Sequence, residues 1–248
     1  MTIILSISAT PEERWAAGPN GLFRIEDDKL TPTPQPMERL ACCCAIHDRL
    51  LVGGAPHGAA YLLDGLEEWQ AAWMDGAAPM VLCLAADPEV ETSGVLLAGS
   101  ESEGVFRTTN RGRRWVPCNF GLHNYTILTL AWAPPMDRDN WLRREIVFAG
   151  TEEGIYRSPN GGRGWKRAEC PDAPYQSIAV GPDFHSTGVV LAGSEDQGLW
   201  RSNDGGRSFA AVEGAPQRVN ALAATPGGWL LSDENQIWRS ADGLTWTP

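Results

Sequence analysis

The chain has 248 residues, 43% of them hydrophobic and 21% charged, with 27 glycines, 18 prolines and 11 tryptophans. This composition supplies an ample core, excludes a disordered chain and predicts many turns. A net charge of −11 excludes a nucleic-acid backbone as the main partner and points to a basic protein segment or a cation.

The first residues, MTIILSISATPEERW, carry no basic leader and only a short apolar run. Neither a signal peptide nor a membrane span is expected, and a cytoplasmic location follows. Six cysteines include the consecutive Cys42, Cys43 and Cys44, a poor disulfide framework, so reduced buried thiols are expected.

In chain order, six short apolar runs centre on Ile7, Cys44, Leu84, Leu130, Ile178 and Leu222, spaced 37, 40, 46, 48 and 44 residues apart. Their neighbours are small throughout: Ser6, Cys43, Cys83, Thr129, Ser177 and Ala221 before, and Ser8, Ala45, Ala85, Ala131, Ala179 and Ala223 after. Each run reads as the innermost strand of a radial sheet, where convergence leaves no room for large side chains. After the first comes WAAGPNGLFRIEDDKLTP (15–32), and after the second LLVGGAPHGAAYLLDGLEEW (50–69). The third to sixth are followed by VLLAGSESEGVFRTTNRGRRW (95–115), IVFAGTEEGIYRSPNGGRGW (146–165), VVLAGSEDQGLWRSNDGGRSF (189–209) and WLLSDENQIWRSADGLTW (229–246). Each segment reads as strand, Gly-containing turn, strand, tight turn and strand. The expectation is an all-β, six-bladed β-propeller of four-stranded antiparallel blades in a single domain, 1–248. The blades fall near 1–35, 36–75, 76–119, 120–170, 171–214 and 215–248, a period typical of propeller blades.

The later blades share an eight-residue cassette of a hydroxyl, an Asn or Asp, a Gly and an aromatic. It runs from Thr108 through Asn110 and Gly112 to Trp115, and from Ser158 through Asn160 and Gly162 to Trp165. It returns as Ser202, Asp204, Gly206 and Phe209, and one residue shorter as Ser240, Asp242, Gly243 and Trp246. In blade 2 only Asp64 and Trp69 remain of it. Asn and Asp brace turns through the backbone, Gly admits positive φ, and a buried aromatic contributes about 1.5–3 kcal/mol. The cassettes are therefore expected to be structural.

On these residues the chain resembles the Asp-box (BNR) propellers: sialidases, xyloglucan-cleaving glucanases, sortilin-type receptors and the photosystem II assembly-factor type. The resemblance spans nearly the whole length. It implies that the box lies on the hairpin between third and fourth strands, braced by Asn110, Asn160, Asp204 and Asp242.

A sialidase needs an arginine triad, a Tyr–Glu nucleophile and an Asp acid. Here Phe23-Arg24-Ile25-Glu26 lacks the proline of that family's arginine motif and reads as a third strand. Tyr61 and Tyr156 share a packing column with Phe106, Trp200 and Trp238, so the catalytic set is not recognisable. No HExxH, GxSxG, phosphate loop or zinc spacing is present. His47, His57, His123 and His185 scatter over different blades and read as exposed loop residues. Cys43 and Cys83 read as small hydrophobes, with a soft-metal pair as the alternative.

One row reads as a surface. The turn between second and third strands carries Glu101, Glu152, Glu195 and Asp233 in register, beside Glu103, Glu153, Asp196 and Glu234. Such an arc attracts a basic segment or a hard cation, calcium being the one cofactor it suggests. The alternative is a repeat consensus, hydrogen-bonding locally or pairing with Arg107, Arg157, Arg201 and Arg239. His123, Tyr125 and Tyr175 enter blades 4 and 5 on the same side, and the loop PPMDRDNWLRRE (134–145) offers Trp141 as a contact. The expected role is a non-catalytic binding scaffold for a protein partner, without nucleic acid or membrane. The alternative from another class is a glycan-acting hydrolase using loop-face carboxylates.

Overall fold

The computed structural model describes residues 2–76, 79–136 and 145–248. It divides into two compact units, Met1–Cys118 and Asn119–Pro248, each holding three successive blades. Trp141 and most of its loop lie outside the described residues.

In the first unit, blade 1 is an antiparallel meander of β1 (Ser6–Ala9), β2 (Arg14–Gly18), β3 (Gly21–Glu26) and β4 (Lys29–Thr33). Blade 2 follows with β5 (Arg39–Ile46), β6 (Arg49–Ala55), β7 (Gly58–Leu63) and β8 (Gln70–Ala71), then a short β9 (Trp73–Met74). Blade 3 comprises β10 (Val81–Ala86), β11 (Leu96–Ser100), β12 (Val105–Thr108) and β13 (Arg114–Pro117). The second unit continues with blade 4: β14 (Ile127–Trp132), β15 (Val147–Thr151), β16 (Gly154–Ser158) and β17 (Lys166–Arg167). Blade 5 has β18 (Ser177–Val180), β19 (Val190–Ser194), β20 (Gly198–Ser202) and β21 (Ala210–Ala211). Blade 6 has β22 (Ala221–Thr225), β23 (Gly228–Ser232) and β24 (Ile237–Ser240).

The six apolar runs are thus the six first strands, and the third-strand reading of Phe23–Glu26 holds. Strand alternation turns successive side chains toward opposite neighbours. In β5, Cys42 and Cys44 join the core facing blade 3, while Cys43 joins the core facing blade 1. The small residues let first strands approach and bond one another. Ser6 Oγ accepts the Cys43 N–H at 3.2 Å, Ser8 Oγ accepts that of Ala45 at 2.9 Å, and Ser177 Oγ accepts that of Leu222 at 2.8 Å. Ile7 points away from blade 2 and is 69% exposed, unlike Leu130 and Ile178.

Three features depart from the sequence reading. From blade 2 to blade 5 the fourth strand pairs with the third at two positions only, and in blade 6 the fourth is reduced to a single bridge between Arg239 and Thr247. The segment leaving blade 2 turns back into the sheet of blade 3, where β9 pairs in parallel with β13 through Trp73–Arg114 and Met74–Trp115. Helical turns α1 (Val90–Ser93) and α2 (Phe184–Thr187) link the first two strands of blades 3 and 5, each closed by a left-handed glycine, Gly94 and Gly188.

Candidate functional site

The cassettes are closed hydrogen-bonded turns. In blade 5, Ser202 Oγ donates to Asp204 Oδ1 at 2.8 Å and accepts the Gly206 N–H at 2.9 Å. Asp204 Oδ1 also accepts the N–H groups of Arg207 and Ser208, and Oδ2 accepts the Ser208 hydroxyl at 2.7 Å. Blades 3 and 4 repeat the pattern: Thr108 and Ser158 donate to Asn110 and Asn160, whose Oδ1 atoms accept the N–H groups of Arg114 and Gly164. In blade 6, Ser240 donates to Asp242, which accepts from Leu244 and Thr245. Trp115, Trp165, Phe209 and Trp246 are all buried. The cassette hydroxyls and the Asn or Asp Oδ1 atoms are thereby engaged inside their own turns, while Trp246 Nε1 is buried without a hydrogen-bond partner among the described residues.

In blades 3, 5 and 6 a cassette glycine seats the turn on the preceding blade. Gly206 has φ +78°, and a Cβ there would lie 2.1 Å from Phe148 of β15. Gly112 stands against Leu51 of β6 in the same way, at 2.2 Å. Arginines add to the seam: Arg49 Nη1 donates to the Arg111 carbonyl at 3.1 Å, and Arg157 Nε donates to that of Gly205 at 2.7 Å. Arg201 reaches Asn203 beside it. Arg157 and Arg201 thus each make a hydrogen bond to a cassette turn.

In an antiparallel meander the entry to the first strand and the second turn share one end, and the third turn lies at the other. The acids therefore lie at the end opposite the cassettes of their own blades. In the second unit, Glu152 and Glu153, Glu195 and Asp196, and Asp233 and Glu234 occupy this turn on three successive blades. In the first unit Glu101 and Glu103 occupy it on blade 3. Each of the first three such turns is underpinned by a fully buried hydroxyl that the sequence reading passed over. Ser100 and Thr151 donate to the carbonyls of Gly104 and Gly154 at 2.9 Å, and Ser194 accepts the Gln197 N–H at 3.1 Å. The signal was present as Ala-Gly-Ser or Ala-Gly-Thr in three of the lead-ins.

The acids do not play one role. Asp233 is a turn cap: its Oδ1 accepts from Asn235 at 2.7 Å and Gln236 at 2.8 Å, and its Oδ2 from Trp238 Nε1 at 2.7 Å. The Asn235 N–H, then the Trp238 and Gln236 donors, hold its carboxyl below the usual range. Glu195 and Glu234 both meet Arg218, at 3.5 Å for Glu195. No repeat pattern announced Arg218, because it lies in the variable entry to blade 6. Glu152 is exposed at its tip.

His123 and Tyr125 stand exposed at the entry to blade 4, with the His123 N–H donating to Tyr156 Oη at 3.3 Å. Tyr175 corrects the sequence reading. It is fully buried with Phe148 and Phe209, its hydroxyl 3.5 Å from the Pro171 carbonyl, so it offers no contact surface. Burial first, then the neighbouring Cys170, pushes its hydroxyl up. The four histidines are exposed. Burial raises the thiols of Cys43, to about 11, and of Cys44 and Cys83, to about 12, which keeps them protonated. Among the described residues no group of three or more His, Cys, Asp or Glu side chains is arranged to hold a metal ion. No helix among them is long and apolar enough to cross a membrane.

No family model and no curated protein matches the sequence. Solved structures do. The extracellular domain of the BT4673 one component system from B. thetaiotaomicron superposes with a TM-score of 0.74 at 16% identity, covering 99% of this chain and 33% of that one. This chain thus spans about one third of that domain's length. The WD40 beta propeller domain of Doa1 gives a TM-score of 0.70 at 12% identity, covering 96% of this chain and 78% of the other. The computationally designed Ika8 protein gives 0.63 at 11%, with 97% and 72% covered. At these identities the likeness concerns fold alone: the chain is an all-β, six-bladed propeller of mostly four-stranded antiparallel blades.

Proposed function

We propose that the chain is a non-catalytic binding scaffold that recognises a basic segment of a protein partner through the acidic turns of blades 4 to 6. One observation carries this reading: three successive blades each place two acids on the same turn, at the end away from the cassettes. Arg218 offsets part of that charge, and Asp233 is committed to its own turn, so Glu152, Glu153, Glu195, Asp196 and Glu234 form the working surface, flanked by His123 and Tyr125. Exposed carboxylates in a row steer and hold cations through summed potential rather than through any single strong pair. The cassette hydrogen bonds support placing the chain with the Asp-box (BNR) propellers, a class in which such turns brace the blades.

A fluorescent octapeptide of alternating arginine and lysine is the probe. The combined variant Glu152→Gln, Glu195→Gln, Glu234→Gln is expected to weaken its binding about tenfold at low salt, with the thermal melt unchanged. Equal affinity for variant and parent sinks the proposal.

A further inference from the structure

A cleft of about 380 Å³ opens between blades 1 and 2, at the end where their cassettes would lie. Its origin is traceable residue by residue. Leu51, Phe148 and Leu191 each face the following blade and meet its cassette glycine: Gly112, Gly206 and Gly243. On blade 1 the corresponding face of β2 presents Trp15, which packs toward Leu50 of blade 2. The glycine due to meet it is Gly65, and a Cβ there would have nothing within 4 Å. The cause lies in the cassette of blade 2. Leu62 stands where Thr108, Ser158, Ser202 and Ser240 supply the closing hydroxyl, and Trp69 falls one residue late after the glycine. Without the hydroxyl the turn takes other bonds, from the Asp64 N–H to the Asp48 carbonyl and from the Leu66 N–H to that of Leu63. Trp69 is then only partly buried against the blade 1–2 core and donates to the Pro34 carbonyl at 3.3 Å.

The intact seam beside it shows what such a seat receives. Between blades 2 and 3, Arg111 of the cassette donates to Asp48 on the first turn of blade 2 at 3.0 Å, and four residues later Trp115 fills the core against Leu51. On blade 1 the matching first turn carries Glu12 and Glu13, and Asp64 lines the other wall. Glu13 is already engaged on both oxygens, by Arg24 at 2.9 Å and Trp15 Nε1 at 3.0 Å. Arg49 in the wall is likewise matched by Asp48 at 2.7 Å. The seat is therefore apolar at its Trp15 and Leu63 floor and acidic at its rim.

We propose that this cleft binds a segment of a partner protein bearing an arginine four residues before a large apolar side chain, which takes the place of the missing cassette.

The probe is the synthetic peptide TTNRGRRWV, the sequence of residues 108–116, labelled with fluorescein. Saturable binding is expected on the Glu152→Gln, Glu195→Gln, Glu234→Gln background, which removes the acidic turns of blades 4 to 6 as a competing seat, with amide shifts in the ¹H–¹⁵N spectrum confined to residues 10–15, 46–50 and 62–66. The exposed pair Glu12→Lys and Asp64→Lys is expected to weaken it about tenfold, and a peptide with glutamate and serine for its first arginine and its tryptophan is expected not to bind. The triple glutamine variant of blades 4 to 6 is expected to show these shifts at the cleft as the parent does, which separates the two proposals. Shifts elsewhere, no saturation by about 1 mM, or equal binding to the charge-reversed variant overturn the inference. So does a protein that dimerises in sedimentation velocity with the same residues protected, since the occupant is then a second copy.

Discussion

A buried hydroxyl closes each cassette, and Ser202 shows how much rests on one atom. Its Oγ donates to Asp204 and accepts the buried Gly206 N–H, so removing it strands a donor away from water. Ser202→Ala is expected to destabilise the protein by about 1–3 kcal/mol, the cost of an unsatisfied buried group, measured by urea unfolding. An unchanged midpoint would show that water replaces the hydroxyl. The hydroxyl, the Asn or Asp and the glycine were legible in sequence, because local turn chemistry depends on neighbours in the chain. Tyr175 was not. Its place beside His123-like entry residues suggested exposure, and only the packing of blades 4 and 5 puts it in the core. For Asp233 the local alternative is the one seen, because an acid in register looks the same in sequence whether it caps its own turn or faces solvent.

At the scale of the element, the cassette hairpins of blades 3, 5 and 6 each join their blade to the one before it. Trp115 is fully buried among Leu51, Leu96 and Phe106, and its Nε1 donates to the Gly112 carbonyl at 2.9 Å. Trp115→Ala is expected to cost about 3–5 kcal/mol, as truncation of a buried aromatic does, read as a lowered thermal midpoint. Strand identity was readable from period and turn signals in all six blades. The parallel pairing of β9 with β13 was not, since it depends on where the chain leaving blade 2 lands on blade 3. The same limit applies to the cleft. Leu62 in place of a hydroxyl marks a worn cassette, but that the wear leaves an open seat over Trp15 follows only from the position of Gly65.

At the scale of the whole molecule, stability depends on keeping ionised those carboxylates that the fold pairs or hydrogen-bonds. Asp48 is held at about 2, chiefly by its hydrogen bond from Arg49. Partial burial pushes Asp204 up, but bonds from Ser208, Ser202 and Arg207 outweigh it and hold it at about 2. A carboxyl depressed in the folded state stabilises fully above its unfolded value of about 3.9 and loses that contribution as pH falls through its folded value. Thermal stability is therefore expected to fall steeply from about pH 4 to pH 2, and Asp204→Asn is expected to flatten part of that slope. A flat profile over this window would refute the assignment. By itself the sequence determined the blade count, the first strands and the bracing turns, because these follow from periodicity and from bonds within a few residues. The tertiary structure alone decided which acids are committed to caps or to Arg218, which tyrosine is buried and where a seam stands open. The buried Tyr175 and the open seam depend on contacts between blades some forty residues apart, and a repeat pattern carries no record of which copies still meet; the Asp233 cap is made within its own turn, by a side-chain orientation that residue type alone does not fix.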